Sequence, residues 1–269
     1  MNILKFSLFV MIKIDRSSYS FNNINNSYYD YGYNNNYKEY IKMFWVGLID
    51  GDGSIQVNHW RRQYLQYRLV IKLSNLKSNY NMLIEIAKVI GGTVRITGKK
   101  ADVIWVVNKK EEIIEIIKIF DIYPLLTSKK ICQLVFLKSC LTETSVEKYL
   151  SLRNTKFKEQ LAIINANTCF KTPIYFKAWL SGFIEGEGCF CIRKSGAHSF
   201  SIGQKDDIYL IEAIKLYFGI ANQIRNLNGN FYSIEVYKKE VLEKIVVHCI
   251  NYPLLGEKLK SLNKFRKIL

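Results

Sequence analysis

Trp45-Val46-Gly47-Leu48-Ile49-Asp50-Gly51-Asp52-Gly53 returns later in the chain as Leu180-Ser181-Gly182-Phe183-Ile184-Glu185-Gly186-Glu187-Gly188. Both copies run apolar, small, apolar, then acid-Gly-acid-Gly. The apolar part has helical spacing, and the glycine-rich end stops a helix. An alternating run follows each copy: Ser54-Ile55-Gln56-Val57-Asn58 and Cys189-Phe190-Cys191-Ile192-Arg193. Alternation of that kind predicts a strand. Asp52 and Glu187 therefore stand at helix C-termini, where the helix dipole disfavours a carboxylate by roughly 0.3–1 kcal/mol. Two such ends would repel further on meeting, and a divalent cation between them would offset both costs. Gly47 and Gly51, like Gly182 and Gly186, fall on one helix face. Small residues at that spacing let two backbones approach closely. The two copies are thus expected to pack helix against helix and to bring Asp52 near Glu187.

A repeat extends beyond the motif. Asp52 and Glu187 lie 135 residues apart, whereas Asn75 and Gln204, Lys109 and Lys238, and Pro124 and Pro253 each lie 129 apart. The register drops once, by six, in the first hairpin loop, where insertions are tolerated. Tyr123-Pro124-Leu125-Leu126 nearly matches Tyr252-Pro253-Leu254-Leu255. In the first copy, Arg61-Arg62-Gln63 reads as a hairpin turn before a strand from Gln66 to Ser74. A helix over 79–90 ends at Gly91-Gly92, strands follow at Val94–Thr97 and Val103–Val107, and Glu111–Phe120 and Lys129–Leu141 have helical spacing. A duplicated unit of constant offset is the mark of two structural repeats.

These segments resemble the two signature motifs of the LAGLIDADG homing endonucleases, in the monomeric two-repeat form, over roughly the last 230 residues. The resemblance implies an α+β fold of two pseudo-symmetric αββαββα repeats. Each would carry a curved antiparallel sheet of a DNA-binding saddle, with the motif helices packed between them. Expected boundaries are a low-complexity, disordered leader over 1–38, a first repeat over 39–141, a connector over 142–175 with a helix at Val146–Leu152, and a second repeat over 176–269.

Composition agrees with a polyanion partner. Net charge is +16, from 39 Lys and Arg against 23 Asp and Glu, and 49% of residues are hydrophobic, enough for a real core. A balance that basic points most often to nucleic acid, although a solvated lysine-rich surface gives the same number. The six cysteines form no CxxC pair and the three histidines no metal-spaced cluster, so neither a zinc site nor a disulfide framework is expected. No apolar run is long enough to span a bilayer, and no membrane partner is expected. Residues 1–15 are apolar and lightly basic without a small-residue cleavage site.

The resemblance assigns the chemistry residue by residue. Asp52 and Glu187 would hold the metal ions, with the carbonyls of Gly51 and Gly186 adding ligands. Asp50 and Glu185 would make structural hydrogen bonds. Lys129 and Lys258, each five residues past the YPLL proline, and the polar Asn75 and Gln204 would order water at the scissile phosphates. Mg²⁺ is the implied cofactor, with Mn²⁺ able to substitute and Ca²⁺ supporting binding without turnover. Outward strand positions would read bases: Ser54, Gln56, Asn58, Trp60, Gln66, Arg68, Lys72, Arg95 and Thr97, then Cys191, Arg193, Ser199, Ser201, Gln223, Arg225 and Ser233. The implied substrate is duplex DNA with a long asymmetric site, and the implied compartment is the mitochondrion. The alternative is an intron-RNA maturase on the same fold.

Overall fold

A computed structural model describes residues 31–143, 145–192 and 198–269. The first motif closes helix α1 (Tyr31–Asp52) and the second closes α8 (Phe176–Glu187). After α1 come β1 (Gly53–Trp60), β2 (Tyr64–Ser74), α2 (Lys77–Ile90), β3 (Thr93–Thr97) and β4 (Asp102–Val107), then α3 (Lys110–Ile117), α4 (Ile119–Ile122) and α5 (Ser128–Glu143). The connector holds α6 (Val146–Leu152), a 3-10 turn (Arg153–Thr155) and α7 (Gln160–Ala166). After α8 the order repeats: β5 (Cys189–Ile192), β6 (His198–Lys205), α9 (Ile208–Phe218), β7 (Arg225–Leu227), β8 (Phe231–Val236), α10 (Lys239–Asn251) and α11 (Glu257–Ile268).

The two sheets share one topology, β1-β2-β4-β3 and β5-β6-β8-β7, antiparallel throughout. Alternation decides their faces. Ile55, Leu69 and Val107 lie in one row under the helices, as do Phe200 with Val236 and Ile202 with Ile234, all buried. One continuous core runs through both repeats. It joins Trp45, Trp105 and Phe120 to Phe176, Trp179 and Phe183 across the seam. The Trp45 and Phe120 rings stack at 4.9 Å, and those of Trp179 and Phe183 at 4.8 Å.

Several expectations shift. Helix α1 begins at Tyr31, so positions 31–38 of the expected leader are helical, and the rest of that leader lies outside the described residues. The expected helix over Glu111–Phe120 breaks at Lys118, whose backbone N–H bonds Glu115 and Ile116 rather than continuing the ladder cleanly. Helix α7, inside the expected connector, is an addition to the expected helix at Val146–Leu152. The six-residue register drop falls in the β5–β6 hairpin, which pairs four rows among the described residues against eight for β1–β2.

Candidate active site

The seam is built on backbone contact. A Cβ placed on Gly47 would meet the Trp179 carbonyl oxygen at 1.9 Å, and one on Gly182 would meet that of Phe44 at 1.9 Å. No side chain fits at either position, so α1 and α8 touch main chain to main chain. One turn on, a Cβ on Gly51 would lie 3.8 Å from Glu187 Oε1, and one on Gly186 would lie 3.4 Å from Asp52 Oδ2. Each carboxylate therefore stands over the other repeat's glycine. The expected pairing of Asp52 with Glu187 is present.

The electrostatics show two acids held at a cost. Burial raises the pKa of Glu187, and the charge of Asp52 raises it further, while Lys130 and Lys258 pull it back. Burial likewise raises Asp52, against Lys258 and then Lys130. Neither carboxylate has a hydrogen bond or salt bridge among the described residues. Two hard, unspent oxygen donors beside each other suit a hard divalent cation. No cluster of three or more His, Cys, Asp or Glu stands among the described residues. The remaining ligands would have to be backbone carbonyls, water and substrate oxygens.

The first acids of each motif do other work, as expected. Asp50, buried, accepts from Leu126 N at 2.8 Å, Thr127 N at 3.0 Å and Trp179 Nε1 at 2.7 Å. Glu185, also buried, accepts from Gly256 N at 3.1 Å and Lys258 N at 2.9 Å. Each holds the chain entering the helix that carries a basic residue to the acid pair, α5 in one repeat and α11 in the other.

One of those basic residues is not the one the sequence picked out. Lys258 acts on both acids, but Lys129 is exposed, and Lys130 takes the inner place. Lys130 Nζ donates to the Gly53 carbonyl, and burial lowers its pKa against the pull of Asp50, Glu187 and Asp52. The equal offset of Lys129 and Lys258 pointed one residue short. The adjacent Lys129-Lys130 pair was the only sign of the alternative. Neither polar candidate is directed at the acids. Asn75 Nδ2 donates to the Lys100 carbonyl at 2.8 Å, closing the end of β2 onto the β3–β4 hairpin, and Gln204 is engaged with Asp207.

The outward strand residues share faces as expected. In the first sheet Ser54 pairs Val70, Gln56 pairs Arg68, Asn58 pairs Gln66, Lys72 pairs Ile104, and Ile104 pairs Arg95. Trp60 opposes Tyr64 and Thr97 opposes Asp102 on that same face. In the second, Cys191 pairs Ser199, Gly203 pairs Ser233, and Ser233 pairs Arg225. Ser201 is on this face opposite Glu235. Ser199 is a correction: it has the right parity but is buried, so it offers nothing to a partner. Gln223 is exposed but precedes β7, and Arg193 lies outside the described residues. Sequence reading took Arg61 and Arg62 only as a turn. Both have left-handed backbone, as do Lys99 and Lys100, which places paired basic side chains at the two hairpin tips of the first sheet.

Two like sheets, joined by glycine-tight helices that end in a shared acid pair, define a two-repeat α+β protein with its polar centre at the seam. The chain belongs to the LAGLIDADG endonuclease family, whose model matches residues 45–140 and 180–269. A probable intron-encoded endonuclease aI3 of Debaryomyces hansenii is 52% identical over 261 residues, and its counterpart in Dictyostelium citrinum 50% over 232. Each alignment takes in 85% of this chain, which spans 38% of the first relative's length and 95% of the second's. Among solved structures, the meganuclease I-AabMI bound to uncleaved DNA has a TM-score of 0.64 at 22% identity, covering 84% of this chain and 89% of that one. I-SmaMI bound to uncleaved DNA in the presence of calcium ions has 0.65 at 20%, covering 84% and 97%. At those identities the likeness is one of fold.

Proposed function

We propose that this chain is a site-specific homing endonuclease that hydrolyses both strands of a long, asymmetric DNA duplex with divalent metal and leaves short 3′ overhangs. The observation that carries the reading is the Asp52–Glu187 pair, two repelling carboxylates kept together at the seam between two sheets with polar and basic outer faces. Mg²⁺ bound there would activate water and stabilise charge at the phosphate. Asp52 and Glu187 would hold it with the Gly51 and Gly186 carbonyls. Lys130 and Lys258 flank the acids and supply positive charge where the phosphate's negative charge grows. Ser54, Gln56, Asn58, Trp60, Gln66, Arg68, Lys72, Arg95 and Thr97 would line one half-site. Cys191, Ser201, Arg225 and Ser233 would line the other, with Gln223 at its edge. Repeats over 39–141 and 176–269, joined by a connector over 142–175, supply both halves of the site from one chain, so the protein acts as a monomer. The relatives' intron-encoded names support a role in intron mobility, and the proposed place of action is the mitochondrion. Those names and the retention of both acids favour nuclease over maturase.

The test is incubation with a duplex bearing the joined exon sequence of the host gene, with Mg²⁺ and with chelator. Linear product in Mg²⁺ alone is expected. An intact duplex, with tight binding instead to the intron transcript, would favour the RNA role.

A further inference from the structure

Each lysine-bearing helix is held at its first turn by a side chain of the opposite repeat. Ser128 N, the first amide of α5, donates to Asp207 Oδ2 at 3.1 Å. Glu257 N, the first amide of α11, donates to Asn79 Oδ1 at 3.0 Å. Asp207 immediately precedes α9 and Asn79 lies in the first turn of α2, 128 residues apart against the repeat offset of 129, so they stand at neighbouring rather than equivalent places of the two repeats. Both are buried, Asp207 fully. Asn79 is itself fixed by donating from Nδ2 to the Ser74 carbonyl at 3.1 Å. Asp207 is fixed by Ser128 and Gln204, while its Oδ1 has no hydrogen-bond partner among the described residues. A buried carboxyl oxygen left without a partner is costly. The fold keeps it nonetheless, and what Asp207 does there is grip the start of α5.

Lys130 follows Ser128 by two residues and Lys258 follows Glu257 by one, both within the first helical turn. The amides there have no partner inside the helix and depend on acceptors from outside. From the same repeat, Asp50 holds Leu126 and Thr127 ahead of α5, and Glu185 holds Gly256 ahead of α11 and the Lys258 amide within its first turn. The cross-repeat contacts hold the turn from the far side.

We propose that Asp207 and Asn79 are positioning residues that set Lys130 and Lys258, respectively, against the acid pair, each from the opposite repeat. The inference rests on the nuclease reading above. Each contact serves one lysine, and the two lysines reach the acid pair from opposite repeats. Loss of one contact therefore unbalances the two strand cuts, and a general loss of stability would not.

The experiment is single-turnover cleavage of a duplex labelled on both strands, run with melting curves and with binding in Ca²⁺. Asp207→Ala is expected to slow one strand about 10-fold, so that nicked duplex accumulates, and Asn79→Ala to slow the other strand to a like degree. Binding should stay within about 2-fold of the parent, because neither residue lies on an outer sheet face. Asp207→Asn keeps an acceptor oxygen for Ser128 N and should restore the rate. If Asp207→Ala does not fold, Asn79→Ala decides alone: preferential slowing of one strand supports the inference, and equal slowing of both overturns it. Parental rates in both variants, or failure of Asp207→Asn to rescue a folded Asp207→Ala protein, would also overturn it. A parent protein that cuts neither strand overturns the nuclease reading, and this inference falls with it.

Discussion

The hydroxyl of Tyr40 donates a 2.6 Å hydrogen bond to the carbonyl of Pro253, 213 positions away in the other repeat. Tyr175 returns the same bond to Pro124 at 2.6 Å. The YPLL segments are thus the sockets into which each motif helix of the opposite repeat is pinned. A proline carbonyl at a helix–helix break has no ladder to join, so the tyrosine is its partner.

Tyr40→Phe removes the donor and leaves the Pro253 carbonyl without that partner in a part-buried site. The expected cost is about 1–3 kcal/mol. At this chain length, each kcal/mol is worth roughly 2–4 °C in melting temperature. Calorimetry of the variant against the parent checks this, and an unchanged melt would mean that water replaces the bond.

Gly47→Ala and Gly51→Ala should part company although they share one helix face. The new methyl at 47 would stand 1.9 Å from the Trp179 carbonyl, so the backbones must separate along the whole seam. Overpacking of that kind costs about 1–3 kcal/mol and more when neither side can yield. At 51 the nearest atoms are 3.5 Å away, ordinary contact. Denaturant unfolding should show a large loss for Gly47→Ala and a small one for Gly51→Ala.

Stability should fall below neutral pH through His248. Burial, with Lys177 adding to it, pushes this imidazole down to about 3. Its Nε2 lies 3.2 Å from Ser181 Oγ and its Nδ1 lies 3.0 Å from the Tyr217 hydroxyl, a pair of contacts that suits the neutral ring. The unfolded chain binds the proton near 6.5 and the folded chain only near 3. The stability is therefore full above pH 6.5 and declines as pH drops from there, by up to about 1.4 kcal/mol per pH unit. Asp207, raised by burial to about 6, works in the opposite sense, losing stability as pH rises through that value. The difference between parent and His248→Gln isolates the histidine. Urea titrations at pH 7 and 5 should show the parent losing about 1–2 kcal/mol more than the variant.

The repeat was legible because duplication writes itself twice: acid-Gly-acid-Gly and YPLL recur with fixed offsets, and strand alternation sorted Gln56, Arg68 and Lys72 onto one face. What escaped was decided by helix phase and tertiary reach. Lys129 and Lys130 differ by one residue, about 100° around a helix, and only the docking of α5 on β1 says which one turns inward. Ser199 has an outward parity but is buried. Asp207 carries no motif, because its function depends on an amide in the other repeat. The Glu111–Phe120 periodicity was right in face and wrong in continuity, since a break at Lys118 leaves Ile113, Ile116 and Phe120 still buried.

Asp52→Asn and Glu187→Gln should each abolish double-strand cleavage while leaving binding in Ca²⁺ largely intact. Each swap removes a charged oxygen donor but keeps the shape, and neither residue belongs to an outer sheet face. Loss of several kcal/mol of charge stabilisation corresponds to about 10³-fold or more in rate. The metal-free proteins should also melt slightly higher than the parent, because each swap removes one member of a repelling pair. A variant that cuts both strands at the parental rate would make these acids structural.

Lys130→Met and Lys129→Met separate the residue that the structure puts at the acids from the one that the sequence offsets suggested. Lys130 is half-buried, donates to the Gly53 carbonyl and is drawn upon by Asp50, Glu187 and Asp52, whereas Lys129 is exposed on the outer side of α5. Methionine preserves the alkyl stem and removes only the ammonium. Losing a preorganised positive group beside the developing phosphate charge costs about 10²–10³-fold in rate. The Gly53 carbonyl also loses its donor, so the melt of Lys130→Met must be read alongside its rate. Single-turnover cleavage at saturating enzyme should show a 10²-fold or larger loss for Lys130→Met on at least one strand, and less than about 3-fold for Lys129→Met, whose single surface charge affects affinity through counterion release more than turnover. The opposite ranking, with Lys130→Met folded and active, would return the catalytic assignment to Lys129 and mean that α5 turns by one residue when DNA binds.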